Sequence, residues 1–443
     1  MWPLTDNNGP LKPSYERGVI EARHGRALRT YSRPSRLPLF TVLPRRVMFS
    51  EDEMRRPTPP IRSTLRVCNC STGSYAQWKE DRPVSDGSKG RPKMTAGLDL
   101  GDRYSYLCLI DTENGEVVEE GRLRTTPEAF SRRFASERPP MRIAIEAGTH
   151  SPWASRVLEE CGHEVLVANA RKLRLIYANK RKTDEIDAEN LARLARLDPK
   201  LLYPLNHRGE DSQAHLAIIR SREALVGCRT QLVNHVRGAV KSFGARLPKC
   251  PARSFHKKAA AHIPEALRPA LGPILEQIGS LTERIRDYER QLETISKERY
   301  PETELLRQVE GVGVLTALAF VLTLEDPSRF AKSRSVGAYL GLVPARAQSG
   351  DRDPQKHISK EGDEMLRKLL VGSAHYILGP FGKDSDLRRH GEKIASLGAK
   401  NAKKRAVVAV ARKLSVLLHR LWATGEVYEP LHNAHRRQEQ EAA

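Results

Sequence analysis

Cysteine is scarce in this 443-residue chain: six residues (Cys68, Cys70, Cys108, Cys161, Cys228, Cys250), of which only the first two are close. A single intervening residue is not zinc-ligand spacing, and the scatter of the rest does not suit a disulfide scaffold. The thiols read as reduced, in a cytoplasmic protein. Long apolar runs are also missing. The longest uncharged one, Val314 to Leu324, is too short to cross a bilayer. No apolar core of a secretory signal follows Met1. Membrane and secreted disulfide-rich classes are thereby excluded.

What the chain has instead is positive charge. The formal net charge is +21 and the pI about 9.8, with 39% hydrophobic and 29% charged residues. This is enough apolar content for two or three folded domains. A cationic surplus of this size favours a polyanion, because Lys and Arg release counterions from a nucleic-acid backbone. Residues 1–93 hold 18 Lys/Arg against 9 Asp/Glu, and 11 of the 28 prolines, without sustained periodicity. That composition predicts a basic extension that stays disordered. The other reading is a true start at Met94, with a mis-assigned start codon upstream.

From Thr95 the pattern is β-rich. Ala96–Leu100, Tyr104–Asp111 and Val117–Arg124 read as successive strands, with Asn114-Gly115 as a turn. A helix near Pro127–Ala135 follows, then a strand at Arg142–Ala147 and a helix at Pro152–Cys161. A strand at Glu164–Ala168 and a helix at Asp184–Leu197 complete the segment. Three antiparallel strands followed by alternating helices and strands is the order of a ribonuclease-H-like α/β domain, here residues 94–205.

Four acids acquire meaning in that frame. Asp99 ends the first strand and Glu146 the fourth, strands that are neighbours in such a fold. Asp184 and Asp187 are three apart on a helix, hence on one face. Carboxylates on rigid elements suit divalent metal working on phosphate, with two Mg²⁺ ions about 3.5–4 Å apart. Each acid also has a plain reading: Glu185 and Glu189 show that the same helix carries solvated acids, and Asp102 or Asp111 could be mistaken for Asp99.

Residues 206–300 read as helical. Over 212–243, Leu216, Ile219, Leu225, Leu232, Val236 and Val240 form an apolar stripe, and Arg220, Arg222, Arg229, Arg237 and Lys241 lie on the other side. The basic side could track a phosphate backbone or simply face solvent. Ile274, Ile278, Leu281, Ile285, Tyr288, Leu292 and Ile295 alternate by four and three, a heptad seam. It predicts a coiled coil between subunits; an intramolecular hairpin with the preceding basic helix is the alternative. Residues 301–430 read as a mostly helical domain before a short tail, 431–443. Within it Leu306–Ala317 resembles a helix-hairpin-helix segment. A loop spans Pro344–His357, and helices are expected at Asp363–Leu370 and Ala402–Trp422.

Taken together, the motifs resemble the transposases of the insertion-sequence 110 family, the Asp-Glu-Asp-Asp class that includes the Piv DNA invertase. The likeness rests on Gly97-Leu98-Asp99, Ile145-Glu146-Ala147-Gly148-Thr149, Lys182-Thr183-Asp184 and Asp187-Ala188. It continues through Val309-Glu310-Gly311-Val312-Gly313, Ala338-Tyr339-Leu340-Gly341-Leu342-Val343-Pro344, Gln348-Ser349-Gly350 and Ile358-Ser359-Lys360-Glu361-Gly362. The resemblance runs from about residue 95 to 430 and includes nothing in 1–93. It implies a RuvC-like domain carrying the four acids and their Mg²⁺, and a C-terminal domain whose serine bonds covalently to DNA. The matching position is Ser349. Ser359 is its nearest competitor, otherwise a helix cap two residues before Glu361.

The resemblance further implies a bridge RNA that pairs with target and donor DNA, and an oligomer, dimer or tetramer, which suits the seam at 274–295. The protein would then be nucleoid-associated when bound to element ends and target. Three other readings compete. A junction-resolving nuclease would need the acids but not Ser349, and a non-catalytic nucleic-acid-binding protein would leave the acids unexplained. A sugar-kinase or actin-like ATPase also ends its first strand in Gly-x-Asp-x-Gly, but the second glycine-rich phosphate loop it needs is lacking.

Overall fold

The computed structural model describes residues 92–433, apart from 136, 174–182, 355 and 399. The basic extension up to residue 91, Cys68, Cys70, Lys182 and the tail from 434 lie outside the described residues. In the first part of the chain β1 (Met94–Leu100), β2 (Tyr104–Asp111) and β3 (Val117–Arg124) form an antiparallel meander. Then come α1 (Pro127–Arg133), β4 (Arg142–Glu146), α2 (Ser151–Glu160), β5 (Glu164–Ala168) and α3 (Asp184–Leu197). The sheet order is β3-β2-β1-β4-β5, with β4 and β5 parallel to β1.

Strand alternation divides the sheet into two faces. Ala96, Leu98, Ile143, Ile145, Val165 and Val167 point to one side and form a core with Phe130, Phe134 and Leu158 of the α1–α2 region. Gly97, Cys108, Ile110 and Ala144 point to the other, where Ala188, Leu191, Ala192 and Ala195 of α3 cover them. Helices on both faces explain why β1 and β4 read as continuous apolar runs. The Cys108 thiol is pushed up to about 11, by burial first and by Glu120 and Glu189 second, so it is an inert core group.

The remainder is helical: α4 (Glu210–Ser242), α5 (Phe255–Ala260), α6 (Arg268–Arg299), α7 (Glu302–Arg307), α8 (Val314–Leu324), α9 (Arg334–Tyr339), α10 (Glu364–Ile377), α11 (Asp386–Ala395) and α12 (Ala402–Thr424). The apolar run Val314–Leu324 is a central core helix, buried nearly all round and packed by α4, α7 and α10. No helix among the described residues is long and apolar enough to cross a membrane.

The heptad seam is a correction. Ile278, Leu281, Ile285 and Leu292 are buried within this single chain, where α6 runs antiparallel to α4. Asp211 meets Arg299 at 3.0 Å, Arg222 meets Glu289 at 2.5 Å, and Arg229 donates to Thr282 Oγ1 at 3.3 Å. Lower down, Val233, Val236 and Val240 pack with Leu271, Leu275 and Ile278. The periodicity therefore reports an intramolecular hairpin, not a coiled coil between subunits. Ile278→Ala should cost about 2–4 kcal/mol. Because the seam closes within the chain, the drop in melting temperature should not change with protein concentration; a concentration-dependent drop would restore the intersubunit reading.

The basic stripe of α4 is corrected by the same packing. Arg220 faces Asp363 at 3.4 Å, and Arg222 and Arg229 are engaged by α6. Burial, with Arg222 beside it, pulls the Arg229 guanidinium below its ordinary range. Arg237 lies 5.0 Å over the Phe255 ring and donates to the Pro248 carbonyl. Four of the five cations thus have partners within the chain.

Candidate active site

The strands and α3 bring the predicted acids to one end of the sheet. Leu98 registers with Ile145 across the parallel β1–β4 pair, so Asp99 and Glu146 follow side by side on strands about 4.8 Å apart. Gly97 faces α3, and so, two residues on, does Asp99; Ala144 and Glu146 repeat the relation on β4. Both acids are half-buried.

The direction of α3 follows from its C-terminal contacts. Arg142, at the start of β4, donates to the Ala195 carbonyl at 3.4 Å. Arg196 donates to the carbonyls of Thr112 and Glu113, beyond the end of β2, at 3.0 and 2.8 Å. The last turn of α3 thus lies where β1 and β4 begin, and its first turn lies where they end. Thr183 caps that first turn, accepting from the Ile186 amide at 3.3 Å. Asp184, Glu185 and Asp187 follow, acids placed where the helix dipole favours them. Asp187 is only 4% exposed and lies on the sheet side; Asp184 is exposed at the rim.

The contact that sets α3 this close is Gly97. A Cβ built on it would lie 2.0 Å from the Ala188 carbonyl oxygen and 2.6 Å from the Ala192 amide nitrogen. Helix backbone rests directly on strand backbone one residue from Asp187 and two from Asp99. Among the described residues, no three carboxylate, imidazole or thiol groups are close enough to hold an ion by themselves. The acids share a rim without forming a closed cage. The donors on the rim are carboxylate oxygens, the ligand class that hard divalent cations take.

An imidazole stands on the same rim, unforeseen from sequence. His150 follows Glu146 by four residues. The Trp153 indole N–H donates to its Nδ1 at 3.2 Å, and its Nε2 faces Asp102 at 3.8 Å. An indole only donates, so Nδ1 must accept and the neutral ring carries its proton on Nε2. The signal was present in Glu146-Ala147-Gly148-Thr149-His150, but a single histidine beside a tryptophan has no distinctive spacing.

Ser349 is held by a different frame. The limbs around Pro344 and Ile358 pair as a short ribbon, with Ala345 N–H to the His357 carbonyl and Ser359 N–H to the Val343 carbonyl, both 2.8 Å. Reciprocal Ser349–Arg352 hydrogen bonds of 3.0 and 3.1 Å close the tip, and Ser349 is exposed there. The base is clamped. A Cβ on Gly341 would meet Glu361 backbone at 2.3 Å, and buried Arg367 donates to the carbonyls of Leu340 and Glu361. Asp363 caps α10 by accepting from the Leu366 amide at 2.8 Å. Ser359, the alternative to Ser349, does not cap that helix: its hydroxyl accepts from the Glu361 amide at 3.4 Å. Both Ser349–Arg352 bonds join backbone atoms, and among the described residues no hydrogen bond ties Ser349 to the acids.

The segment resembling a helix-hairpin-helix is indeed two helices, α7 and α8, joined by a turn. Glu310 in that turn accepts from the Lys383 amide at 3.1 Å and pairs with its ammonium at 2.7 Å, which holds the carboxyl below its ordinary range and the amine above.

Comparison with known proteins adds a lineage to this geometry. Residues 96–244, β1 to the end of α4 and therefore all four acids, match a transposase family model of the DEDD IS110 type. Residues 303–383, which include the Ser349 hairpin, match the model described as "Transposase IS116/IS110/IS902 family". A putative transposase of Sinorhizobium fredii is 30% identical over 77% of this chain and 88% of its own length. The chain belongs to the IS110 family of transposases. Other relatives include the transposase for insertion element IS1111A of Coxiella burnetii, 29% identical over 75% of this chain and 90% of that protein. The transposase for IS1328 of Yersinia enterocolitica is 30% identical over 64% and 84%. In this transposase the two matched regions coincide with the two frames, acidic rim and serine hairpin.

Proposed function

We propose that this transposase is a DNA recombinase of insertion-sequence mobility, cutting and rejoining strands with a site made from both frames. The observation that carries the reading is the meeting of Asp99, Glu146 and the acidic first turn of α3 at one sheet end, an arrangement the packing of α3 on Gly97 makes rigid. The first region is, on this reading, a RuvC-like member of the ribonuclease-H-like fold. Asp99, Glu146, Asp184 and Asp187 would hold Mg²⁺, which when bound supplies positive charge to the phosphate oxygens.

The chain's own residues do the rest. Ser349 Oγ gives up its proton and attacks the phosphorus, an O–P bond to serine forms, and the P–O bond to one deoxyribose breaks, its oxygen taking up a proton in exchange. Attack by a deoxyribose hydroxyl of the incoming strand reverses the step and frees the serine. Because Ser349 and the acids lie on separate frames, we place the hydroxyl of one subunit on the rim of another, which makes a homo-oligomer the working unit. A non-coding guide RNA would supply sequence choice by base pairing, as in other RNA-guided systems. Ser349→Ala should abolish a protein–DNA adduct that survives denaturing electrophoresis, while binding of DNA persists. An adduct still formed by that variant would assign the nucleophile elsewhere, and nicks without rejoined products would favour a resolving nuclease.

A further inference from the structure

A groove of about 1480 Å³ runs beside α12, bounded by α11 on one side and the return limb of the Ser349 hairpin on the other. Its floor is apolar, with Leu342, Ile358, Val408, Val416 and Leu417. Its walls are cationic. Arg334, Lys404, Arg405, Arg412 and Lys413 come from the helices, and Lys356 and Lys360 from the hairpin limb. None of these seven is ion-paired among the described residues. The acids of the groove are already engaged: Glu426 by Arg420 at 2.7 Å, Asp386 by Asn433 at 2.8 Å and Glu429 by His432 at 3.2 Å. Flat rings also line it, from His357, His390 and Tyr428. Burial and the nearby Lys413 and Lys393 hold His390 below its ordinary range.

We propose that this groove binds a single strand of DNA, backbone against the cationic walls and bases against the apolar floor, and leads that strand to the hairpin bearing Ser349. A duplex turns its phosphates outward and hides its base faces, so it calls for a cationic surface without an apolar floor. A single strand uses both. The path to the serine is structural: Lys356, His357, Ile358 and Lys360 line the groove and belong to the hairpin limb at once, and the His357 carbonyl is paired with the Ala345 amide across the ribbon. The choice of DNA over RNA rests on the recombinase reading above; the fit to a single strand does not.

The test is fluorescence anisotropy with labelled 20-nucleotide dT and rU strands and a 20-base-pair duplex, using the full chain in EDTA so that no chemistry occurs. The groove variant is K404Q/R405Q/K413Q, three exposed positions on one helix. The control is K241Q/K249Q/K257Q, which removes the same charge from exposed sites away from the groove. The groove variant should lose at least tenfold in affinity for the dT strand. Its slope of log Kd against log salt should fall by about 2, the share of three phosphate contacts on a single strand. The control should stay within about threefold of wild type. Equal losses in both variants, or none in the groove variant, would overturn the proposal, and tighter binding of rU than dT would overturn the assignment to DNA. Ser349→Ala should bind dT like wild type, so a failure of the serine chemistry remains distinguishable from a failure of the groove.

Discussion

Asp99→Asn is expected to lower strand cleavage and rejoining by about three orders of magnitude, while the protein stays folded and still binds DNA. The substitution keeps the shape and removes one negative charge at the point where β1 and β4 present their acids to α3. Removing a single charge-stabilising group from a reacting centre typically lowers the rate by about 10²–10³. A metal-ligating carboxylate belongs at the upper end, because it positions the ion as well as its charge. Asp187→Asn should match it, being buried on the same side. Asp184, exposed at the rim, should show a smaller loss, about 10²-fold. The measurement is single-turnover excision from a labelled substrate, with melting temperature and DNA anisotropy as controls. Glu189→Gln, on the same helix and paired with Arg193 at 2.7 Å, should leave activity unchanged. Full activity in Asp99→Asn would remove the metal-site reading altogether.

The local chemistry of the sheet region was legible because each element there is bounded by its own side chains. The limits of α3 match expectation at both ends: Thr183 is a strong cap and the acids follow it in the first turn. The strands match to within two residues, since they are bounded by turns such as the one at Asn114-Gly115. The partner of a periodic stripe was not legible. The spacing of Ile278, Leu281, Ile285 and Leu292 says that something covers one side of α6, but a neighbouring helix of the same chain and a helix of another subunit leave the same pattern. Similarly, the arginines of α4 announce charge and not its destination, which is Asp363, Glu289 and the Phe255 ring. The helix α11 went unread although Ser385 caps it, accepting from the Arg388 amide at 3.2 Å. The groove was invisible for a simpler reason: its walls come from positions between Arg334 and Asn433, and no local window contains them.

The two frames differ in how they are tied to the rest of the chain. The sheet hands over to α4 through Leu205, which pairs with Val167, and through Gly209, whose amide donates to Glu325 Oε1 at 2.8 Å. Arg208 on that connection approaches Asp363 at 3.7 Å, joined there by Arg220. Asp363 is also the cap of α10, immediately after the clamped base of the hairpin. The connection leaving the acidic region therefore touches the foundation of the serine region while Ser349 itself stands free at the tip. On the function proposed above, the serine would reach the acids by approach of another subunit rather than by rearrangement of the hairpin.

The second large effect is expected at a residue with no chemistry of its own. Gly97→Ala would place a methyl 2.0 Å from the Ala188 carbonyl oxygen and 2.6 Å from the Ala192 amide nitrogen. Packed atoms sit about 3.5 Å apart, so α3 must retreat by roughly 1.5 Å. Overpacking of this kind costs about 1–3 kcal/mol, read as a fall in melting temperature of roughly 4–8 °C for each kcal/mol in a domain of about 100 residues. Activity should fall much further than stability. The retreat carries Asp184 and Asp187 away from Asp99 and Glu146, and a misplacement of about 1 Å in a reacting constellation lowers rates by about 10². The contact is with main-chain atoms, so Ala188→Gly in the same protein should restore neither quantity. Were Gly97→Ala to melt like wild type and remain fully active, α3 could not be resting on β1 as described, and the two pairs of acids would lose the packing that brings them together.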